Sequence, residues 1–345
     1  MGTALLTGFV VLVALGFAFT NGFHDAANSV AASIATRAVT TRGALVMACA
    51  LNLLGALLGT QVALTVGSGI LDLRDVSGVH GLLLAGAALV GALTWNLATW
   101  WKGLPSSSSH ALVSALAGAG LAGGAQVHWE RLPRIVLAPM VLTPLIGLLA
   151  AWVLTVLLRR WLAAQPYGLT MRRFRLLEAV SSAMMALGHG LQDAQKTMGV
   201  ILIALVAGGA SDLVGPGGSL HGGVPLWVRV VAALALAAGT WAGGLRIVRT
   251  LGGGIAPIDA SQGFAAQSVS AVVLYVAAFV GGAPVSTTST VAAAITGAGL
   301  APRRRRVEWG TVGRIVLTWV LTLPAAGLVA AVLAWAATAL LVPGA

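Results

Sequence analysis

The chain has 345 residues, of which 58% are hydrophobic and only 8% are charged, whereas soluble domains carry about 25% charged residues. This composition excludes a soluble protein and predicts an all-α integral membrane protein, because apolar stretches of about 20 residues, long enough to cross a bilayer, recur from end to end. The formal net charge is +11, but the arginines fall in short loops and no basic stripe is interleaved with aromatic residues, which argues against a nucleic-acid partner.

Predicted membrane-crossing units divide the chain into two halves. Residues 1–158 form the first half and residues 176–345 the second, joined by a cationic linker at 159–175. No positively charged region precedes the first unit, so we expect a retained helix rather than a signal peptide. The predicted units lie near residues 4–36, 43–68, 80–104, 106–126 and 134–158, and then 176–210, 225–245, 263–283, 285–302 and 312–342.

The first unit carries a polar motif in its middle, NGFHDAAN, from Asn21 to Asn28. An ionised carboxylate at membrane depth costs several kcal/mol, so Asp25 requires a functional or structural cause. We expect Asp25, with His24 beside it, to bind a coupling cation or proton, and Asn21 to assist. Gly22 is a poor helix former and predicts a break in the helix at this point.

The fourth unit begins with a run of hydroxyl residues, PSSSSH, from Pro105 to His110. Proline followed by serines is typical of a helix N-terminus, whose free N–H groups and positive dipole attract anions. Ser107 and Ser108 are therefore candidate oxyanion ligands, although serines also bond to their own helix carbonyls or join helices. His110 could be a proton relay or an interfacial histidine.

The sixth unit repeats the pattern of the first, with HGLQDAQKT from His189 to Thr197. Gly190 again predicts a helix break, and Asp193 again predicts a coupling site. Asp193 could instead form a structural ion pair with Lys196, three residues further along the same face. Lys196 could also neutralise a bound anion or extend toward the membrane surface.

The ninth unit begins with PVSTTS, from Pro284 to Ser289, and so matches the fourth, except that Ser289 stands where the first half has a histidine. Two such helix N-termini facing each other would form an oxyanion cradle. The candidate ligands in this second run are Ser286, Thr287 and Thr288.

The two halves are predicted to be inverted repeats. Gly118 matches Gly297, and Asp25 matches Asp193, at a nearly constant separation along the chain. An odd number of units inverts the second copy, and the loops that then share one side are rich in arginine, including the run at 303–306. This places the linker in the cytoplasm and both termini outside. Inverted repeats around a midplane site are typical of secondary transporters.

Four of these segments resemble motifs of the inorganic phosphate transporter (Pit) family. NGFHDAANSVAASIATR from Asn21 and HGLQDAQKTMG from His189 are similar to its two signatures. PSSSSHAL from Pro105 and PVSTTST from Pro284 look like its two serine and threonine hairpin tips, and RIVRTLG from Arg246 also fits. The resemblance covers nearly the whole chain.

The resemblance implies secondary transport of phosphate by an inverted repeat with broken helices and re-entrant tips, a fold that often dimerises. His24 and Gln192 stand where the family often has asparagine, and His24 occurs in the proton-coupled bacterial type, which favours protons. A sodium ion could instead bind at Asp25 and Asp193, with Gln192 as an auxiliary residue. The residues that the resemblance makes substrate ligands are Ser107, Ser108, Ser286, Thr287, Thr288, Asn28 and Gln195.

We therefore expect a symporter that carries inorganic phosphate across a cell membrane and is coupled to protons or sodium. We expect no cofactor. As in some members of the family, the substrate could be a metal–phosphate complex. Phosphate keeps a proton at neutral pH that it can donate to a carboxylate, whereas sulfate has only acceptors. The alternatives left open are a symporter of sulfate or another oxyanion, a passive channel and, more remotely, an intramembrane serine hydrolase.

Overall fold

A computed structural model of the chain describes residues 2–72, 75, 77–214, 220, 223–301 and 307–341, so the predicted cytoplasmic arginines at 303–306 lie outside the described residues. The described part is built from α-helices, as the composition predicts. The helices are α1 (Gly2–Ala35), α2 (Thr41–Ala56), α3 (Gln61–Gly69), α4 (Gly78–Trp101), α5 (Ser108–Ala122), α6 (Ala138–Leu162), α7 (Tyr167–Ala207), α8 (Leu226–Ala242), α9 (Leu245–Arg249), α10 (Ala260–Val276), α11 (Thr287–Leu300) and α12 (Trp309–Leu341).

Several of the described helices are long and apolar enough to cross a membrane. Five spans meet both criteria, and they contain α1, α4, α6, α10 and α12. Two further spans form if each bent pair is counted as one, because α2 and α3 meet at 69° and α8 meets the segment Leu245–Gly254 at 60°. The protein is therefore an all-α, multi-pass membrane protein, whereas the inverted relation between its halves stays a prediction.

The helix breaks predicted at Gly22 and Gly190 are wrong. Both glycines lie inside continuous helices, α1 and α7. A Cβ on Gly22 would overlap the carbonyl oxygen of Leu236, and a Cβ on Gly190 would overlap that of Asn52. The glycines are therefore needed because a neighbouring backbone approaches closely, and not because the helix ends there.

The breaks lie instead in the second and seventh predicted units. α2 ends at Ala56 and α3 begins at Gln61. In the other half α8 ends before Gly243, whose φ of 69° is in the left-handed region that favours glycine. These breaks bend the two spans where they pack against the polar centres of α7 and α1.

The two hydroxyl runs begin short helices inside the protein. α5 has 15 residues and α11 has 14, and at 1.5 Å per residue neither crosses the roughly 30 Å hydrocarbon core. The first residues of both helices are buried. This arrangement agrees with the expected re-entrant tips.

The two predicted halves pack against each other through several pairs of helices. α5 packs on α12, α6 on α11, α1 on α8 and α2 on α7, so each of these pairs joins one half to the other. α6 continues to Leu162 and α7 begins at Tyr167, so helical residues extend into both ends of the predicted linker. One intertwined helical body therefore surrounds the polar residues of α1 and α7.

Candidate functional site

The structure brings the two aspartates of the repeated motif together. Asp25 on α1 and Asp193 on α7 are both fully buried, with 0% exposure. One ligand atom each from Asp25, Asp193 and His189 lies within 4.8 Å of the others. Two carboxylates this close repel each other in a low-dielectric interior, so at least part of their charge must be compensated locally.

Asp25 is surrounded by a histidine and two hydroxyls. The Nδ1 atom of His24 lies 2.6 Å from Oδ1. Ser108 Oγ donates to Oδ2 at 2.9 Å, and Thr288 Oγ1 donates to Oδ1 at 3.1 Å. Because Ser108 begins α5 and Thr288 lies in the first turn of α11, this one carboxylate contacts both re-entrant tips.

Asp193 has a different set of neighbours. Lys196 Nζ forms an ion pair with Oδ1, although the lysine is only 1% exposed. His189 Nε2 lies 2.9 Å from Oδ2, and Asn21 Nδ2 donates to the same oxygen at 3.3 Å. The ion pair that the sequence left as an alternative role for Lys196 is therefore present.

A chain of hydrogen bonds fixes the ring of His189. The hydroxyl of Thr240 donates to Leu236 O at 3.0 Å and therefore accepts from Asn52 Nδ2 at 2.8 Å. This leaves Asn52 Oδ1 as the acceptor for His189 Nδ1 at 3.1 Å. These hydrogen bonds fix Nδ1 of His189 as a donor and direct Nε2 of the same ring toward Asp193.

The two tips meet beside Asp25. Ser107 and Ser286 are the N-caps of α5 and α11, accepting from His110 N at 3.2 Å and from Ser289 N at 3.1 Å. Ser109 Oγ donates across to Val285 O at 2.8 Å and joins the tips. Two helix N-termini, each with a positive dipole end, therefore converge on one buried place, which is a suitable geometry for an anion.

Asn28 connects α1 to the second tip. Its Nδ2 donates to Thr288 Oγ1 at 3.0 Å and to Thr287 Oγ1 at 3.2 Å. Its Oδ1 is buried without a hydrogen-bond partner among the described residues, as is Oδ1 of Asn21. Carboxylate and amide oxygens are the atoms that hard cations prefer, so the donor set near Asp25 and Asp193 would fit a sodium ion.

Two predicted site residues bond to backbone groups, and a third has a ring nitrogen without a partner in the described part of the chain. Gln195 Oε1 accepts from Val62 N at 2.8 Å and from Ala63 N at 3.3 Å, so it caps the start of α3 instead of facing the tips. Gln192 Nε2 donates to the carbonyl oxygens of Leu274 and Ala283. His110 is buried, and its Nδ1 has no hydrogen-bond partner among the residues that the structure describes.

Comparison with known proteins agrees with this geometry. Residues 21–330 match the model of the Phosphate transporter family. The chain belongs to the phosphate transporter family. This transporter is 43% identical over 338 residues to a protein of Rhizobium meliloti (strain 1021) named "Probable low-affinity inorganic phosphate transporter", and the match covers 96% of each chain.

Two further comparisons support the same family and fold. The transporter is 44% identical over 324 residues to a protein of the same name from Mycobacterium bovis, covering 93% of this chain and 75% of the relative. A solved structure described as "The sodium-dependent phosphate transporter" matches with a TM-score of 0.85 at 23% identity, covering 99% of this chain and 100% of that one. This last similarity establishes a shared fold.

Membership of the family decides against the hydrolase alternative, since its members are transporters and not enzymes. The site does contain a series that resembles a catalytic triad, because Ser106 Oγ lies 3.2 Å from His24 Nε2 and His24 Nδ1 lies 2.6 Å from Asp25. In this transporter the contacts with Ser106 and Asp25 orient the ring of His24. The hydroxyl of Ser106 is itself hydrogen-bonded to that of Thr99 at 2.8 Å.

Several site residues are missed by sequence analysis. His189 belongs to the quoted motif but receives no role, and Asn52, Thr240 and Thr99 lie in apolar spans without any motif. The available signal is their polarity at membrane depth, where a side-chain amide or hydroxyl needs a partner. That signal identifies such residues without indicating which distant helix supplies the partner.

Proposed function

We propose that this protein is a symporter that moves inorganic phosphate across the cell membrane together with protons or sodium ions. One observation carries the proposal: a buried carboxylate pair lies directly beside two converging helix N-termini. A cation site and an anion site then share the same hydroxyl groups. The names of the relatives from Rhizobium meliloti and Mycobacterium bovis support phosphate as the anion.

The shared hydroxyls suggest how the two ions are coupled. In the structure Ser108 and Thr288 donate to Asp25. When a proton or sodium ion neutralises this carboxylate, it becomes a weaker acceptor, and both hydroxyls can turn toward an anion at the helix N-termini. Phosphate binding therefore follows cation binding. An empty site with an uncompensated carboxylate resists exposure to the opposite side of the membrane, because a bare charge is costly there.

The same chemistry favours phosphate over sulfate. Phosphate can donate a hydrogen bond to an ionised carboxylate oxygen, whereas sulfate would place acceptor against acceptor wherever the carboxylate is neither protonated nor cation-bound. The hydroxyl groups from the tips serve either anion, so the carboxylates provide the discrimination. Among coupling ions we favour the proton, because His24 Nδ1 lies 2.6 Å from Asp25 and the pair could share one. Sodium is the competing ion, and the buried amide oxygens would suit it.

The remaining parts of the proposal concern the cell. From the arginine distribution we propose that the linker lies in the cytoplasm and both termini outside, in the plasma or inner membrane. A homodimer and a metal–phosphate complex as the transported species are further elements of the proposal, and they rest on the resemblance to the Pit family.

The test is uptake of radiolabelled phosphate into proteoliposomes, with sodium and proton gradients imposed separately. We expect one gradient to drive accumulation above equilibrium, and Asp25→Asn and Asp193→Asn to abolish that accumulation. Asp212→Asn, in an exposed turn, is the matched control and should leave uptake unchanged.

Other outcomes would replace the proposal. Undiminished gradient-driven uptake in both aspartate variants would refute the coupling role. Stronger competition by sulfate than by unlabelled phosphate would favour the sulfate alternative, and uptake that only equilibrates would indicate a channel. Repeating the assay with and without a divalent metal tests the metal–phosphate complex.

A further inference from the structure

The two carboxylates of the site are compensated unequally. The described ionisable groups around the centre are Asp25 and His24 on α1, and Asp193, Lys196 and His189 on α7. From the neighbouring helix α2 the facing group is the neutral amide of Asn52, and His110 is buried in the first turn of α5. Two carboxylates therefore face one ammonium group, that of Lys196, and each carboxylate also contacts one histidine ring.

Lys196 is held where a cation would otherwise be needed. It follows Asp193 by three residues on the same helical face, its Nζ contacts Oδ1 of that aspartate, and the side chain is almost completely buried. A buried ammonium without this carboxylate would be strongly unfavourable, so the two groups stabilise each other's charge.

The first half has no such group. Asn28 follows Asp25 by the same three residues, but it is neutral and directs its amide to Thr287 and Thr288. The partners of Asp25 are hydroxyls and a histidine, which donate hydrogen bonds without a fixed positive charge. One of the two equivalent carboxylates is thus compensated within the chain, and the other is not.

We infer that the ammonium group of Lys196 takes the place of one coupling cation, so that a single cation, bound at Asp25, completes the charge of the site in each transport cycle. This inference rests on the proposed symport. It makes Lys196 the residue that sets the number of coupled cations. Replacing the lysine by a neutral residue creates a requirement for a second cation, at Asp193.

The experiment uses the full chain in proteoliposomes and measures the initial rate of phosphate uptake against the concentration of whichever cation drives it. The wild type should give a Hill coefficient of about one, and Lys196→Asn, which copies the residue in the first half, about two. The membrane potential that just stops uptake gives the charge moved with each phosphate. This charge should be more positive by one in Lys196→Asn than in the wild type.

A double variant separates charge from contact. Asp193→Asn combined with Lys196→Asn removes both charges of the pair, so the net charge is unchanged and the Hill coefficient should return to about one. Lys196→Arg keeps the charge and should retain the wild-type coefficient. If the lysine served only to bind phosphate, Lys196→Asn would raise the KM for phosphate and leave the cation dependence unaltered.

Two results overturn the inference: a wild-type coefficient and charge ratio corresponding to two cations, or the same cation dependence in wild type and Lys196→Asn. If Lys196→Asn does not fold, the charge moved with each phosphate by the wild type still tests whether one or two cations are coupled. Failure of the underlying symport is recognised differently, because the wild type would then accumulate no phosphate under either gradient.

Discussion

The surroundings of Asp25 and Asp193 differ more than the two similar sequence motifs suggest. Asp25 receives hydroxyls from both re-entrant tips, which belong to separate helices. Asp193 is held by Lys196 and His189 of its own helix, and by Asn21 of α1. One aspartate therefore depends on elements at the proposed anion site, whereas the other lies in a largely preformed ion pair.

This difference shows how an internally similar protein can divide two tasks. Contacts with the tips make the state of Asp25 sensitive to whatever binds between them. Contacts within α7 keep Asp193 in a constant environment. The hydrogen bonds that join Thr240, Asn52 and His189 hold the ring of His189 in place. We therefore expect substitutions at Asp25 to act mainly on ion coupling, and substitutions that leave one member of the Asp193–Lys196 pair without its partner to lower stability as well.

The largest effect is expected from breaking the ion pair on one side only. Asp193→Asn leaves Lys196 buried without a counter-charge and should lower the free energy of unfolding by about 3 to 5 kcal/mol. Asp25→Asn should cost about 1 kcal/mol, because hydroxyls can also donate to an amide oxygen. Thermal unfolding of both variants beside Asp212→Asn measures the difference. Equal losses would contradict the asymmetry.

A smaller effect is expected at the tips. Ser108→Ala removes one donor from Asp25 and from the proposed anion site, and should weaken phosphate binding about tenfold, as expected for a hydrogen bond to a charged group. The KM of phosphate uptake measures this change. Ser114→Ala is the matched control, since Ser114 lies on the same helix and donates to its own helix carbonyl at His110. Similar KM values for both variants would argue against the shared-hydroxyl mechanism.

A still weaker effect should follow from breaking the series of hydrogen bonds that orients the ring of His189. Thr240→Val has the shape of threonine but offers no acceptor to Asn52. We expect the maximal uptake rate to fall about fivefold, consistent with loss of one hydrogen bond of about 1 kcal/mol. Thr240→Ser should restore the rate. The hydroxyl of Thr318 donates to a carbonyl of its own helix, Arg314 O, so Thr318→Val should behave like the wild type.

Sequence analysis predicts much of this fold because membrane spans depend on local composition. The spans, the two polar motifs and the two short hydroxyl-led helices all follow from runs of neighbouring residues. The position of the helix breaks does not follow, because a glycine either ends a helix or lets another backbone approach. Gly22 has the second role, and only the position of Leu236, in another part of the chain, reveals it.

The candidate site is predictable to a similar degree. Acidic residues at membrane depth identify Asp25 and Asp193, since few other causes place a carboxylate there. The partners of His189 are not predictable, because the bond between Asn52 and Thr240 joins residues 188 positions apart. Gln195 is the opposite case: it lies within a strong motif and is predicted to bind the substrate, whereas in the structure its side chain bonds to the backbone of another helix.

Gln195 provides the final and smallest test. Its Oε1 accepts from the first amides of α3, and its Nε2 donates to Leu191 O, so its polar atoms are engaged with backbone groups. Gln195→Leu removes an N-terminal cap and should destabilise α3 by about 0.5 to 1 kcal/mol. Hydrogen exchange of residues 61–69 should therefore become faster, while the KM for phosphate stays at the wild-type value.

The reverse result would restore the role in substrate binding. If Gln195 is a ligand, Gln195→Leu should raise the KM for phosphate while the exchange of α3 remains slow. Gln61→Leu, at the exposed start of the same helix, controls for a general effect of leucine on α3. Because Gln195 lies two residues after Asp193 on α7, a cap at this position also ties the bent second span to the preformed ion pair. Loss of the cap should therefore loosen α3 without disturbing Asp25 and the tips.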